Sequence, residues 1–257
     1  MESILFEIEK SVAIITLNRP EKFNAFNRNM ALLLQQKLDD CHAPEIRAVY
    51  ITGMGKAFCA GQDLEEVIDI NGPGMDRILK EHFNPIIEKI CSLPKPVIAA
   101  VNGVAAGAGA NIALCCDVVL AAASANFIQA FSKIGLIPDS GGTYMLPRLI
   151  GWQKASALMM TGDKVPASEA ERMGMIYKVY ADDYFTDEAK QLAFKLAQMP
   201  TTGLGLIKKA LQLSGNNSLT QQLAVEDELQ QHAAATHDFK EGVNAFIEKR
   251  SPVFTGN

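Results

Sequence analysis

Pro96-Val-Ile-Ala-Ala-Val101 runs directly into Asn102-Gly103-Val-Ala-Ala-Gly107-Ala-Gly109. The first run is uniformly apolar, so it predicts a strand buried on both faces, as the strands of parallel sheets are. The small residues that follow would let a ligand approach the backbone closely. A short helix over residues 108–115 is predicted to begin on this glycine loop. A strand, a loop that can accept a ligand and a helix, in this order, indicate an α/β fold.

The chain repeats this alternation up to about residue 182. An N-terminal hairpin is predicted over residues 2–8 and 12–17, followed by strands near residues 48, 97, 118 and 176. Residues 53–58, after the strand at 48–52, are predicted to form a loop. Helices are predicted over residues 29–40 and over about 75–92, the second interrupted near Pro85.

From residue 182 onward the pattern is helical only. It predicts three or four helices, over residues 186–198, 202–213, 219–235 and 238–249. We therefore divide the chain into a core that carries the site, residues 1–198, and a C-terminal helical region, residues 199–257. That region either carries subunit contacts or forms a packed outer layer.

Composition excludes several functional classes. The net charge of −5 and the pI near 5.5 argue against a nucleic-acid partner, because phosphate binding needs a basic stripe. Asn111, Asp117 and Asn126 interrupt the apolar stretch 103–132, so no membrane span is expected. Five cysteines without CxxC spacing and the absence of a signal peptide predict a reduced, cytoplasmic protein. No cluster of metal ligands is expected, since His232 and His237 do not share a helix face.

One carboxylate stands out in Gly135-Leu-Ile-Pro-Asp-Ser-Gly-Gly-Thr143. Asp139 has no cation within five residues on either side. A charge among apolar and glycine residues is costly, which indicates a chemical role such as that of a base. The loops at 56–64 and 103–109 each follow a strand, where α/β proteins bind ligands. One backbone N–H from each loop can hold a developing oxyanion.

A serine protease is the alternative that Asp139-Ser140-Gly141-Gly142 suggests, because this run matches most of the segment around the nucleophile of trypsin-like enzymes. Ser140 would then need a histidine base. His42 follows a predicted helix, whereas the trypsin fold is all-β and braced by disulfides. The alternation of helix and strand argues against this alternative.

Four segments together resemble the enoyl-CoA hydratase/isomerase, or crotonase, superfamily over essentially the whole chain: Leu17–Ala25, Ala57–Leu64, Lys95–Gly103 and Ile137–Thr143. The resemblance implies a crotonase-like spiral of ββα units with a C-terminal helical trimerisation region, and trimers that commonly pair into hexamers. It also implies an acyl-CoA thioester substrate and no separate cofactor, because coenzyme A is part of the substrate.

The resemblance also assigns roles to residues. The N–H groups of Ala60 and Gly107 are expected to form the oxyanion hole, and Asp139 to transfer the proton. Lys249 is expected to reach a CoA phosphate, across a subunit boundary if necessary. The other residues expected to bind the substrate are Lys22, Ala25, Ala57, Phe58, Gly61, Gln62, Asp63 and Phe131.

The departures from the family pattern indicate the reaction. Hydratases carry two glutamates at the positions of Asn111 and Phe131, and hydration needs both. An isomerase needs one base, which Asp139 supplies. The segments 130–143 and 250–256 resemble more narrowly the 2-(1,2-epoxy-1,2-dihydrophenyl)acetyl-CoA isomerases of bacterial phenylacetate degradation, which open a ring epoxide to an oxepin and also shift double bonds.

Three alternatives stay open at this point. The alternatives to an epoxide isomerase are a Δ3,Δ2-enoyl-CoA isomerase of fatty-acid oxidation, an enoyl-CoA hydratase of that pathway, and a non-catalytic acyl-CoA-binding subunit. Phe131 either lines the acyl pocket or belongs to the ordinary core.

Overall fold

The computed structural model describes residues 2–257, which form two sheets. The ten strands are β1 (Ile4–Glu9), β2 (Val12–Leu17), β3 (Ala48–Gly53), β4 (Ala57–Cys59), β5 (Val97–Val101), β6 (Val104–Ala106), β7 (Val118–Ala122), β8 (Asn126–Ile128), β9 (Lys164–Pro166) and β10 (Lys178–Tyr180). The larger sheet has the order β1-β2-β3-β5-β7-β10 and the smaller one β4-β6-β8-β9. Apart from the β1–β2 hairpin and the β8–β9 pair, all neighbouring strands are parallel.

The described residues also form twelve α-helices. They are α1 (Arg28–Asp40), α2 (Leu64–Ile68), α3 (Gly74–Arg77), α4 (Asn84–Ser92), α5 (Ala108–Leu114), α6 (Gly142–Ile150), α7 (Trp152–Thr161), α8 (Ala167–Arg172), α9 (Asp182–Ala197), α10 (Thr201–Ser214), α11 (Leu219–Ala234) and α12 (His237–Glu248). None of the helices in this part of the chain is long and apolar enough to cross a membrane.

From β3 to β8, successive strands alternate between the two sheets, which produces a spiral. The pairs β3/β4, β5/β6 and β7/β8 each place one strand in the larger sheet and the next in the smaller sheet. Gly53 and Gly103 lie at the corners, where a Cβ atom would stand 2.2 Å from the carbonyl oxygen of Ala57 and of Lys56, respectively. Only glycine therefore permits these corners. The predicted α/β spiral with a C-terminal helical region is confirmed.

The prediction of a loop over residues 53–58 is wrong at its end, because Ala57–Cys59 form strand β4. All four strands of the smaller sheet are three residues long, and most of their positions are buried or half-buried. Such short segments carry no periodicity that distinguishes a strand from a loop. The sequence therefore predicted the larger sheet and missed the smaller one.

The predicted interruption near Pro85 is confirmed as a change of helix type, because the α-helix gives way to a π-helical segment that ends directly before Asn84 and Pro85. The chain stays helical from Gly74 to Ser92, passing through a π-helical segment, Ile78–Phe83. Proline removes an N–H that would otherwise bond to a carbonyl one turn earlier. Gln35 on α1 replaces it, since its Nε2 donates to the carbonyls of Glu81 at 2.7 Å and of His82 at 3.2 Å.

The C-terminal helices are held to the core by Arg47, which precedes β3. Its guanidinium donates to Thr201 Oγ1 at 2.9 Å, to the carbonyl of Phe254 at 2.9 Å and to the carbonyl of Met199 at 2.6 Å. These bonds cross the boundary that we placed between residues 198 and 199. That boundary stays a prediction.

Replacing Arg47 with alanine is expected to lower the free energy of unfolding by about 2–4 kcal/mol, because three hydrogen bonds from a charged, partly buried group are lost. Chemical denaturation with urea measures the change. Arg172→Ala is the matched control, since Arg172 pairs only with Glu169 at the surface and should cost about 0–1 kcal/mol. Equal losses in the two variants would contradict the anchoring role of Arg47.

Candidate active site

A cavity of about 830 Å³ lies where three segments meet. Residues 60–65 follow β4, residues 107 and 108 follow β6, and residues 130–139 follow β8. Because β4, β6 and β8 are parallel neighbours, their carboxyl ends lie at the same edge of the smaller sheet. This edge is where an open parallel sheet offers a ligand site.

The first two segments approach each other very closely at Gly61. A Cβ atom there would lie 3.0 Å from the carbonyl oxygen of Ala106 and 3.3 Å from the backbone nitrogen of Ala108. Gly61 also has a φ of 95°, in the region that favours glycine. The glycine thus lets the loop after β4 lie against the start of α5.

The prediction that the N–H groups of Ala60 and Gly107 form the oxyanion hole is wrong. The N–H of Ala60 donates to the carbonyl of Phe23 at 3.0 Å, and the N–H of Gly107 donates to the carbonyl of Ile128 at 2.9 Å. Both residues line the cavity, but their N–H groups are already used in the backbone of the fold. An N–H that is committed in this way cannot also hold the oxygen of a ligand.

Two neighbouring N–H groups are available instead, those of Gln62 and Ala108. Within residues 2–257, neither has a hydrogen-bond acceptor. Ala108 is the first residue of α5, whose initial N–H groups have no partner inside the helix. Both residues line the cavity, and the closeness of Gly61 to the Ala108 nitrogen brings the two N–H groups to one place.

Asp139 lines the same cavity and is half-buried. Burial raises its pKa above the ordinary aspartate value, while the hydroxyl of Ser140, which donates to Oδ1 at 2.8 Å, opposes the rise in pKa. No cation contributes to this pKa shift. The isolation of Asp139 in the sequence is thus matched by its surroundings, and a carboxylate of raised pKa is suited to take up a proton.

The three other acids that line the cavity are in different surroundings. Asp63 pairs with Arg19 at 2.9 Å and caps α2, Glu65 pairs with Lys22 at 2.5 Å, and Glu21 is exposed. Among the acids lining the cavity in the described chain, Asp139 alone is both shielded from solvent and without a cation. This distinction singles it out for proton transfer.

The structure argues against a protease role for Ser140. Its hydroxyl donates to Asp139, and none of the hydrogen bonds found in residues 2–257 joins Ser140 to a histidine. Ser140 has a φ of 50°, an unfavourable value for a residue with a side chain. It serves to hold the carboxylate of Asp139.

The two positions where hydratases carry glutamate are both next to the site. Asn111 on α5 is fully buried, and its Nδ2 donates to the carbonyl of Asp139 at 2.8 Å. Phe131 lines the cavity, and a Cβ atom on Gly107 would lie 3.8 Å from its ring. Phe131 therefore faces the cavity rather than lying wholly in the core.

The other residues expected to bind the substrate divide into two groups. Those that line the cavity are Lys22, Ala25, Gly61, Gln62 and Asp63. Ala57 and Phe58 do not line it, because they are buried in β4 and the carbonyl of Ala57 accepts from Asn24 at 2.8 Å. Lys249 is exposed at the end of α12 and does not reach the cavity within one chain.

Sequence reasoning missed Ala108 and the apolar wall of the cavity. The wall includes Val67 and Ile68 from α2, Met75 from α3, Ile78 and Phe83. Asn27 before α1 and Asp63 before α2 are helix caps that the sequence signals. A glycine at the N-cap is a weaker sequence signal for the start of a helix. Read as the N-cap of α5, Gly107 would have indicated that the first unpaired N–H of the helix belongs to Ala108.

The geometry agrees with the comparisons to known proteins. A family model described as enoyl-CoA hydratase/isomerase matches residues 7–257. The chain belongs to this family. The sequence is 48% identical to a 1,2-epoxyphenylacetyl-CoA isomerase of Escherichia coli, with 100% of the chain and 99% of that protein covered. It is 45% identical to a probable enoyl-CoA hydratase of Rhodobacter capsulatus, with coverage of 99% and 98%.

Solved structures of the enoyl-CoA hydratase/isomerase family have the same fold. A putative enoyl-CoA hydratase/isomerase from Mycobacterium abscessus matches with a TM-score of 0.93 at 36% identity, covering 99% of this chain and 100% of that one. The resemblance stated from the sequence motifs is therefore confirmed. This family member is an enzyme of the crotonase type that acts on CoA thioesters, as an isomerase or a hydratase.

Proposed function

We propose that this enzyme is a CoA-thioester isomerase that uses Asp139 as its only proton carrier. The observation that carries the proposal is the single shielded, unpaired carboxylate in a cavity where hydratases of the family keep two. Asn111 cannot replace a glutamate, because an amide does not act as a general acid or base; its Nδ2 donates to the backbone carbonyl of Asp139 and its Oδ1 accepts from Gln129. Phe131 has no group that exchanges protons.

The mechanism needs one base and one oxyanion site. Asp139 takes a proton from a carbon activated by the thioester, and the N–H groups of Gln62 and Ala108 hold the enolate oxygen that develops. The protonated Asp139 then returns the proton to a different carbon, which moves the double bond. A positioned acid or base contributes about 10²–10⁴-fold to such a step, and one oxyanion donor about 10²–10³-fold.

The apolar wall supports an aromatic-derived acyl group as substrate. Phe131, Phe83 and Met75 face the cavity, whose volume suits a ring beside the pantetheine chain. The E. coli relative is described as a 1,2-epoxyphenylacetyl-CoA isomerase. We infer that the ring-1,2-epoxide of phenylacetyl-CoA, converted to oxepin-CoA within phenylacetate catabolism, is the physiological substrate, and that Δ3/Δ2 double-bond shifts use the same site.

Three further features complete the proposal. Coenzyme A enters as part of the substrate, so no other cofactor is invoked. We also propose a cytoplasmic location, and the five free cysteines support this proposal. Homotrimers, paired or not into hexamers, would cover the exposed apolar side chains of the last three helices, among them Ile207, Leu211, Phe246 and Ile247.

A panel of three CoA esters tests the reaction. The ring epoxide and an aliphatic 3-enoyl-CoA are expected to be isomerised, whereas hydration of a 2-enoyl-CoA should be slower by at least about 10²-fold, since the second carboxylate is missing. Product formation is followed by chromatography and mass spectrometry. Turnover of the aliphatic ester alone would favour a fatty-acid role, rapid hydration would make the enzyme a hydratase, and binding without any turnover would make it a silent subunit.

A further inference from the structure

We propose that Asn111 and Gln129 form a relay of side-chain amides that positions Asp139 for proton transfer. Asn111 Nδ2 donates to the backbone carbonyl of Asp139 at 2.8 Å, and Gln129 Nε2 donates to Asn111 Oδ1 at 2.8 Å. Both side chains are buried, at 0% and 5% exposure. The inference rests on the proposed function, since it concerns the base of that reaction.

The relay joins the two halves of the catalytic apparatus. Asn111 lies on α5, one turn after Ala108, which lines the cavity. The Asn111 side chain is hydrogen-bonded to the loop that carries Asp139. A Cβ atom on Gly142 would lie 2.3 Å from Asn111 Nδ2, so the loop packs directly onto the amide. The distance between the base and the oxyanion site is thereby set through one side chain.

The loop needs such a hold because its backbone is strained. Ser140 has a φ of 50° and Gly141 a φ of 74°, both in the left-handed region. Non-glycine residues persist in that region only where the surroundings enforce it. The hydrogen bond from Asn111 to the carbonyl that precedes Ser140 is one such constraint.

An amide suits position 111 in this arrangement, whereas an ionised carboxylate does not. A carboxylate there would place its oxygens against the carbonyl oxygen of Asp139, with no hydrogen to share. An amide offers a donor to Asp139 and an acceptor to Gln129, and the donor on Gln129 determines which end of the Asn111 amide faces Asp139. Asn111, which stands where hydratases of the family carry a glutamate, is therefore a positioning residue for Asp139.

Asn111→Ala, Gln129→Met and the double variant test the relay. In the full-length enzyme with a 3-enoyl-CoA, kcat should fall about 10–100-fold in each single variant, with KM within about threefold, because a base displaced by a fraction of an ångström still allows binding. The acid limb of the pH profile should not move, since Asn111 touches the carbonyl of Asp139 and not its carboxylate. The double variant should lose no more than Asn111→Ala, because Gln129 acts through Asn111.

Asn126→Ala is the matched control. Asn126 is also buried, at 4% exposure, and it begins strand β8, which directly precedes Gln129. It makes no hydrogen bond to Asp139 or to Asn111. Its buried Oδ1 has no hydrogen-bond partner in the described residues, so Asn126→Ala should fold without losing a hydrogen bond and keep kcat within about twofold. A buried asparagine with a merely structural role would behave like this control.

Several outcomes would overturn the relay. The first is a folded Asn111→Ala whose kcat stays within twofold of the wild-type value. The second is a double variant in which the two losses of kcat multiply. The third is a shift in the acid limb of the pH profile of either single variant. If Asn111→Ala does not fold, Gln129→Met decides by the same criteria. Wild-type enzyme without isomerase activity, or an active Asp139→Asn, would instead overturn the proposed function and the relay with it.

Discussion

Replacing Asp139 with asparagine is expected to lower kcat for isomerisation by about 10²–10⁴-fold, the contribution of a positioned base. Asparagine has the same shape and still accepts a hydrogen bond from Ser140, but it cannot take up a proton. Asp139 is one of many residues that line the cavity, so KM should change little. Steady-state kinetics on a 3-enoyl-CoA, with calorimetry of a bound CoA ester, measure the two effects separately.

The pH dependence of the wild-type enzyme follows from the same carboxylate. Proton abstraction needs the ionised form, so kcat/KM should fall as the pH drops through the pKa of Asp139, which burial raises above the ordinary value. The acid limb should accordingly lie above the pKa of about 3.9 of an unperturbed aspartate. An acid limb at or below that value would contradict the shielded environment of Asp139.

Stability provides the control for Asp139→Asn. Because the folded pKa of Asp139 is raised, the folded state binds its proton more tightly than the unfolded state does. Stability is therefore lost as the pH rises from the unfolded pKa to the folded one, and the ionised carboxylate costs free energy at neutral pH. Asp139→Asn removes this cost, so its free energy of unfolding at pH 7 should equal or exceed that of the wild type. A large loss of stability would mean that the kinetic defect reflects misfolding.

The sequence predicted the parts of the fold that depend on long apolar segments. Strands such as Val97–Val101 are buried throughout, and their uniform apolarity is visible in the residues themselves. Asp139 was also predictable, since its lack of nearby cations in the chain persists in three dimensions. The three-residue strands of the smaller sheet were not, because each is defined by its neighbours and not by its own pattern.

The oxyanion donors show where sequence reasoning stops. Every non-proline residue carries an N–H, and which of them is available depends on the acceptors that the fold supplies. Strand β8 places the carbonyl of Ile128 against Gly107, and the turn before α1 places the carbonyl of Phe23 against Ala60. Neither pairing can be derived from the loops at 56–64 and 103–109. The available N–H groups lie one and two residues farther along, at Ala108 and Gln62.

Ala108→Pro is expected to lower kcat/KM by at least about 10²–10³-fold, the effect of removing one oxyanion donor. Proline is tolerated at the first position of a helix, where the N–H has no partner inside the helix, so α5 should form normally. Gly107, with a φ of 53°, can precede proline without a side-chain clash. The variant thus replaces one backbone N–H by a ring methylene at the proposed oxyanion site and leaves the helix in place.

Infrared spectroscopy of a bound thioester tests the donor more directly than the rate does. Hydrogen bonds from Gln62 and Ala108 polarise the thioester C=O, so binding to the wild type should move its stretching band to lower frequency, and Ala108→Pro should remove much of that shift. Ala108→Ser is the matched control, because it changes the side chain, keeps the N–H and should retain both the shift and most of the activity. Parallel measurements on Gly107→Pro are not informative, since the N–H of Gly107 is bonded to Ile128 and its loss would disturb the sheet. A full band shift in Ala108→Pro would contradict the role of this N–H, and the oxyanion would then have to be held elsewhere in the cavity.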